Sequence, residues 1–269
     1  MTSPSLVAVV DRLRAAGCVF AEDEAELLTG AASSPAELAA MVERRVAGLP
    51  LEQVVGWAAF CGLRLVVEPG VFVPRRRTEF LAEQAIALAR PGSVTVDLCC
   101  GVGAVTAALV AAVERVEVYA ADIDPAAVRC ARRNVAAERV FEGDLYEPLP
   151  AGLRGRVDVI AVNAPYVPTG EIRLMPPEAR DHEHHVALDG GPDGLDVQRR
   201  VAAAAPQWLA PGGHLLIETS ERQAPRTVAA FEQSGLTTRI VHYEDLGATV
   251  AVGTLPIHRR SELASCCGD

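Results

Sequence analysis

Apolar residues recur at two different spacings along the chain, and the spacing changes near residue 50. Leu6, Val9, Val10 and Leu13 fall three to four positions apart, as do Leu38, Met41, Val42 and Val46. That period predicts helices with one buried face. Ser34 followed by Pro35 predicts the start of the second helix, because a serine oxygen can take an orphan N–H and proline has none to lose. Residues 1–50 therefore read as a small helical domain. Around Cys61-Gly62 the pattern turns to alternation, with Leu63, Leu65 and Val67 on one side of the chain. This predicts a β-hairpin, closed by Pro69-Gly70 and Pro74, within a linker over 51–77.

From residue 78 to 258 strand and helix signals alternate. Strands are predicted over Val94–Leu98, Val116–Ala121, Arg139–Glu142, Val157–Val162, Gly213–Thr219, Thr237–His242 and Thr249–Gly253. Helical patterns lie between them at Ala104–Val113, Pro125–Ala136, Leu195–Leu209 and Ala224–Gln233. Such alternation implies an α/β fold, a mostly parallel sheet with helices on both faces. Ligands of these sheets bind beyond the carboxyl ends of the strands, where the strand order reverses. The polar stretch 259–269 reads as a disordered tail.

Composition narrows the class. The chain has 269 residues, 50% of them hydrophobic, enough for a full core. No apolar run approaches the ~18 residues of a membrane span, and the first ten residues lack a secretory pattern. A cytoplasmic protein is expected. Seven scattered cysteines, none in a CxxC pair, fit a reducing compartment and no structural zinc. Cys266 and Cys267 read as free thiols in the tail. A net charge of −10 disfavours stable binding to nucleic acid, which usually demands a basic face. The run Arg75-Arg76-Arg77 goes against that balance and reads as a solvated surface cluster.

Candidate chemistry gathers at the strand ends. The first strand of the alternating region runs into Asp97-Leu98-Cys99-Cys100-Gly101-Val102-Gly103 and then a helix. Glycines there permit a tight turn and close backbone approach to a ligand. An acidic residue, Asp122, follows about 20 residues later at the next strand end, where a carboxylate can accept both ribose hydroxyls. These features alone fit either a dinucleotide or S-adenosylmethionine (SAM). The third glycine of the dinucleotide fingerprint is missing, since Ala104-Val105-Thr106 follow Gly103. The acidic Asp97 suits a cofactor with an ammonium and a sulfonium. Asp144, ending the third strand, can accept from an adenine amino group.

The fourth strand ends in Asn163-Ala164-Pro165-Tyr166. A planar NH2 group is a poor nucleophile while its lone pair is delocalised. Two acceptors on its hydrogens, the Asn163 side-chain oxygen and the carbonyl of Ala164, would aim that lone pair and stabilise charge growing on nitrogen. Tyr166 offers an apolar wall and a π-face for a cationic sulfonium.

Here the chain resembles the release-factor glutamine N5-methyltransferase family, whose motif is Asn-Pro-Pro-Tyr. The likeness runs over nearly the whole chain. It includes Leu51-Glu52-Gln53 through Gly56, Phe60, Gly62 and Leu63, then Pro69 through Arg75 with Thr78-Glu79. It continues through Asp97, Gly101, Gly103, Asp122 and Asp144-Leu145, the substrate motif, Glu183, Ala187-Leu188, Gly190-Gly191, Asp193-Gly194-Leu195, Glu218 and Gln223. The resemblance implies a Rossmann-like class I SAM-dependent methyltransferase with a seven-stranded sheet. Its reaction would be methyl transfer from SAM, leaving S-adenosylhomocysteine, to a glutamine amide in the Gly-Gly-Gln loop of a peptide-chain release factor. The N-terminal helices would help dock that partner. Catalytic positions are expected at Asn163, Ala164, Pro165 and Tyr166. Cofactor contacts are expected at Asp97, Cys99, Gly101, Gly103, Asp122, Ile123, Asp144, Leu145 and Asn163.

Three departures mark the chain as a paralogue. Ala164 stands where the family has proline, Arg76-Arg77 replace Pro/Glu character, and the helical region is short. Other readings are an exocyclic-amine methyltransferase acting on nucleic acid or a small molecule, and a non-catalytic SAM-binding partner of the translation machinery. His182-Glu183-His184-His185 lies in a Pro- and Gly-rich loop, and the mechanism asks for no metal. Trp57 and Trp208 read as packing residues.

Overall fold

The structure, a computed structural model, describes residues 5–257. Cys266, Cys267 and the expected tail over 259–269 lie outside the described residues. At the N-terminal end, α1 (Leu6–Ala15), α2 (Ala21–Ala31), α3 (Pro35–Val46) and the short α4 (Leu51–Val55) enclose a core of Val9, Leu13, Leu28, Met41 and Val42. Ser34 caps α3 as its sequence implies: its hydroxyl accepts from the Glu37 N–H at 3.2 Å, and Pro35 holds the first helical position. Burying one stripe of each helix supplies the stability that such short helices lack alone.

The hairpin pairs β1 (Trp57–Phe60) with β2 (Leu63–Val66) antiparallel. Its two turn residues, Cys61 and Gly62, both have positive φ, at 47° and 73°, as two-residue turns matched to strand twist require. The Cys61 N–H donates to Glu79 at 3.0 Å, which helps hold the non-glycine residue there. Asn134 then joins hairpin to sheet. Its Oδ1 accepts from Val66 N, and its Nδ2 donates to the carbonyls of Val66 and Val102.

The central sheet has seven strands: β3 (Val94–Leu98), β4 (Glu117–Asp122), β5 (Val140–Glu142), β6 (Val157–Val162), β7 (Leu209–Thr219), β8 (Thr237–Tyr243) and β9 (Ala248–Thr254). Their order is β5-β4-β3-β6-β7-β9-β8, and β9 alone pairs antiparallel with both neighbours. The chain leaves β3 toward β4 on one side and later returns to β6 on the other. The order therefore reverses between β3 and β6, the position that opens a crevice at the strand ends.

Alternation along the strands sorts the core into two layers. Val159, Ala161 and Leu216 pack with Leu81, Leu109 and Cys130, from α5 (Thr78–Leu88), α6 (Ala104–Ala112) and α7 (Pro125–Asn134). Ile160, Val162, Leu215 and Ile217 pack with Val201 and Phe231. A short α8 (Pro177–His182) lies in the loop after β6, and α9 (Asp196–Ala204) and α10 (Ala224–Gln233) complete the second layer.

Two elements differ from their sequence pattern. The periodicity over Leu195–Leu209 resolves into α9, a single 3-10 turn at Ala205–Gln207 around Pro206, and the start of β7 at Leu209. Proline lacks the N–H that would continue the α-helix. Leu209 then pairs with Val157 across a register shift, so β7 begins earlier than Gly213. The helix α2 gives a weak signal because alanines carry much of its buried face, alongside Glu24 and Leu28. Among the described residues no helix is long and apolar enough to cross a membrane.

Candidate active site

The loops after β3 and β6 flank one open cleft, enclosing about 1040 Å³ including its solvent-open mouth. The loop after β3 contributes Asp97, Cys99 and Gly101, and the loop after β4 contributes Asp122 and Ile123. The loop after β6 contributes Asn163, Ala164, Pro165 and Tyr166. Nine residues singled out from the sequence thus share one wall system. Asp144 and Leu145 line an adjoining cavity together with Cys99, Asp122, Ile123 and Pro165. Gly103 lines neither. Its φ is +78°, and a Cβ there would meet Ala131 of α7 at 3.4 Å. Its place is the tight packing of α6 on α7.

At the β3 end the backbone turns through positive φ at Cys99 (56°), Gly101 (55°) and Gly103. Asp97 is only 2% exposed. Its Oδ2 accepts from the Thr106 N–H at 3.0 Å and the Thr106 hydroxyl at 2.7 Å. Burial pushes its carboxyl up to about 7, against the lowering effect of both Thr106 bonds. Asp122 ties two loops together: Oδ2 accepts from Gly101 N at 2.8 Å and Oδ1 from Asp124 N at 2.9 Å. Burial raises its pKa also. Asp124 caps α7 through Ala126 N and meets His184 Nδ1 at 2.6 Å. Asp144 is already engaged, with Arg200 at 2.6 Å. Its remaining acceptor capacity is what it can offer a ligand.

At the β6 end, Asn163 Nδ2 donates to Thr78 Oγ1 at 3.3 Å, so its Oδ1 is the atom left for the cleft. Ala164 is 1% exposed. The loop lies directly against glycines: a Cβ on Gly190 would stand 2.7 Å from the Pro165 carbonyl oxygen, and one on Gly194 would collide with the Tyr166 carbonyl. Gln223 Nε2 donates to that same Tyr166 carbonyl at 3.0 Å and to Asp193 O at 3.1 Å.

Two arginines of the run are held by buried carboxylates, and Arg76 keeps the solvated place expected of a surface cluster. Arg75 Nη2 donates to both Glu183 oxygens at 2.8 Å, and Arg77 Nε donates to Glu218 at 3.1 Å while Nη2 donates to the Tyr166 hydroxyl. Arg75 and Arg77 both line the cleft, whereas Arg76 is exposed. A buried carboxylate facing each arginine decided this arrangement, and Glu183 and Glu218 lie more than a hundred residues away in sequence. Sequence reasoning quoted Thr78 only as part of a linker pattern, and did not foresee its contact with Asn163.

The backbone of the histidine segment is tied down on both sides. His184 N donates to Gly70 O at 3.0 Å, and His182 O accepts from Gln53. Among the described residues no three His, Cys, Asp or Glu side chains gather as a metal site. Trp208 stacks on Tyr146, and Trp57 lies under Arg64.

A seven-stranded sheet with one antiparallel strand, an acidic loop at β3–β4 and an amide-bearing turn after β6 define a class I methyltransferase. The family model described as "Methyltransferase small domain" matches residues 62–175. A release factor glutamine methyltransferase of Geobacter sulfurreducens is 38% identical over 209 residues, covering 75% of this chain and 72% of the relative. A 4-amino-L-phenylalanine/4-methylamino-L-phenylalanine methyltransferase of Streptomyces pristinaespiralis is 38% identical over 203 residues, covering 72% and 69%. The crystal structure of a methyltransferase from Pyrococcus furiosus shares the fold at a TM-score of 0.56 and 16% identity, covering 81% of this chain and 98% of that one. The chain belongs to the release factor glutamine methyltransferase family.

Proposed function

We propose that the chain transfers a methyl group from SAM to the side-chain amide nitrogen of a glutamine, in the Gly-Gly-Gln loop of a peptide-chain release factor. The observation that carries this reading is the Asn163 amide. Its NH2 end is taken by Thr78, and its oxygen is free on the same cleft as Asp97 and Asp122.

The residues present fit SAM. Asp122 stands at a strand end where ribose hydroxyls are accepted in such folds. Ile123 is an exposed apolar side chain on the cleft, suited to the face of a purine. Asp97 supplies a carboxylate for a cationic aminoacyl arm. When bound, SAM supplies a methyl on an electrophilic sulfonium. Asn163 Oδ1 and the Ala164 carbonyl accept the two amide hydrogens and hold the nitrogen lone pair toward that methyl. Both acceptors gain strength as positive charge grows on nitrogen, so they favour the transition state over the ground state. The methylated amide nitrogen is acidic and loses its proton to water, without a dedicated base.

The helical layer over 1–50 is proposed as the partner's docking surface. Val19 and Phe20 are 83% and 68% exposed there, apolar area that a protein partner could cover.

A second reading has its own support. The Streptomyces pristinaespiralis relative is named for an aryl amine, which poses the same lone-pair problem, and Ala164 leaves an N–H where the family has proline. Competition separates the two. The chain is incubated with SAM and equal concentrations of a release factor and 4-amino-L-phenylalanine. Methyl on the release factor alone supports the first reading, and methyl on the amine alone replaces it.

A further inference from the structure

Two side chains of the β6 loop face the acceptor end of the cleft, and both are held by the first residues of α5. Asn163 Nδ2 donates to Thr78 Oγ1, and Arg77 donates to the Tyr166 hydroxyl. Residues 77 and 78 in turn converge on Glu218 near the end of β7. Arg77 Nε donates to its Oε1 at 3.1 Å. Its Oε2 is buried with no hydrogen-bond partner. The Thr78 hydroxyl, whose oxygen accepts from Asn163, lies near enough to this carboxyl to oppose the rise that burial imposes on its pKa, and it is the donor we assign to the orphaned oxygen.

The direction of these bonds follows from counting protons. An ionised carboxylate only accepts, and a threonine hydroxyl has one proton to give. If that proton goes to Glu218, the Thr78 oxygen is left to accept from Asn163 Nδ2. The Asn163 amide then has one orientation, with Oδ1 toward the cleft. A flipped amide would present N–H to the N–H of an acceptor. Nitrogen and oxygen of an amide are nearly equal in shape, so only the hydrogen-bond network selects between them.

We infer that Glu218 is a positioning residue for methyl transfer, fixing through Thr78 which end of the Asn163 amide faces the acceptor and through Arg77 the place of the Tyr166 ring. This rests on the reading of Asn163 as the group that holds the acceptor. It explains why a glutamate only 2% exposed is kept between two chains of polar contacts. A glutamine there would have nearly the same shape and one reversed end. Its NH2 could donate to Thr78, turn the threonine proton toward Asn163 and release the amide.

The sequence offers a clean probe, because it contains two asparagines, Asn134 and Asn163. Protein labelled with ¹⁵N on asparagine side chains shows two NH2 pairs. Asn134 is held by Val66 and Val102 and reports on the fold. Glu218→Gln and Thr78→Val are each expected to move the Asn163 pair and leave the Asn134 pair in place. Thr78→Ser, which keeps the hydroxyl, should return the Asn163 pair to its original position. With a release factor as acceptor, Glu218→Gln and Thr78→Val should lower kcat by roughly tenfold or more, as misorientation does, with SAM affinity unchanged. An Asn163 pair that stays put in Glu218→Gln and Thr78→Val overturns the inference, as does one that Thr78→Ser fails to restore. If the unaltered protein methylates no release factor, the substrate reading falls, while the resonances still decide the role of Glu218.

Discussion

Burial keeps a proton on Asp97 up to near neutral pH. Its raised pKa means the native state keeps a proton that the unfolded chain releases. Its contribution to stability is therefore full below the unfolded value near 4 and is lost as pH rises through about 7. A bound cation would favour the carboxylate. SAM affinity is thus expected to rise about tenfold between pH 6 and pH 8, as one proton is released across a pKa near 7. Asp97→Asn should flatten that rise, while the Asn oxygen still serves Thr106. The same substitution should raise the melting temperature of the cofactor-free protein at pH 8 by a few degrees. Calorimetric titrations at both pH values check the first outcome, and a flat profile in the unaltered protein would contradict it. Melting curves check the second.

At the scale of elements, the loop after β6, proposed to hold the acceptor, depends on glycines of the segment that follows it. Gly194 has φ +77°, and a Cβ on it would strike the Tyr166 carbonyl. Gly194→Ala is expected to destabilise the fold by ~1–3 kcal/mol through backbone strain, and to lower turnover more than SAM affinity, because the displaced loop is the one proposed to hold the acceptor. Urea unfolding and SAM titration check both parts. Much of this architecture was legible in the sequence. Strand spacing placed β3 to β9 because most of these strands are long enough for alternation or continuous burial to show, β5 with its three residues being the exception. Ser34-Pro35 fixed the start of α3 through local capping chemistry. The loops carrying Asp97, Asp122 and Asn163 were legible because they sit at strand ends. What escaped is non-local. The pairing of Arg77 with Glu218 joins residues 141 apart, and no local pattern encodes it. The run of arginines looked solvated because the carboxylates that hold it lie on β7 and in the loop after β6. Asp144 was legible as a strand-end acid, but its partner Arg200 was not.

At the scale of the whole molecule, one buried cluster joins the N-terminal helices to the loop that roofs the cleft. Arg45 of α3 bonds Glu24 of α2 and Glu178 of α8. Its side chain is 7% exposed, and these carboxylates raise its pKa against its burial. Arg45→Met should destabilise the protein by ~3–5 kcal/mol, because Glu24 is left buried and unpaired. Arg45→Met combined with Glu24→Leu should recover most of that loss, which denaturant titration of the two variants would show. Nearby, Gln53 donates to Val71 and His182, so helices, linker and roof loop are tied through neighbouring contacts. A partner seated on the helices would thereby lie on the same framework as the acceptor cleft. The most direct test of the account is the mass of a release factor after incubation with SAM and the protein, beside the same reaction with Asn163→Ala. The account predicts one added methyl group on the glutamine of the Gly-Gly-Gln peptide. The rate should fall by roughly 100-fold or more in the variant, the scale on which loss of one transition-state hydrogen bond acts, measured at saturating SAM because Asn163 is also an expected cofactor contact. No added methyl on any release factor of the host by a protein that binds SAM, or equal rates with and without the Asn163 amide, would contradict it.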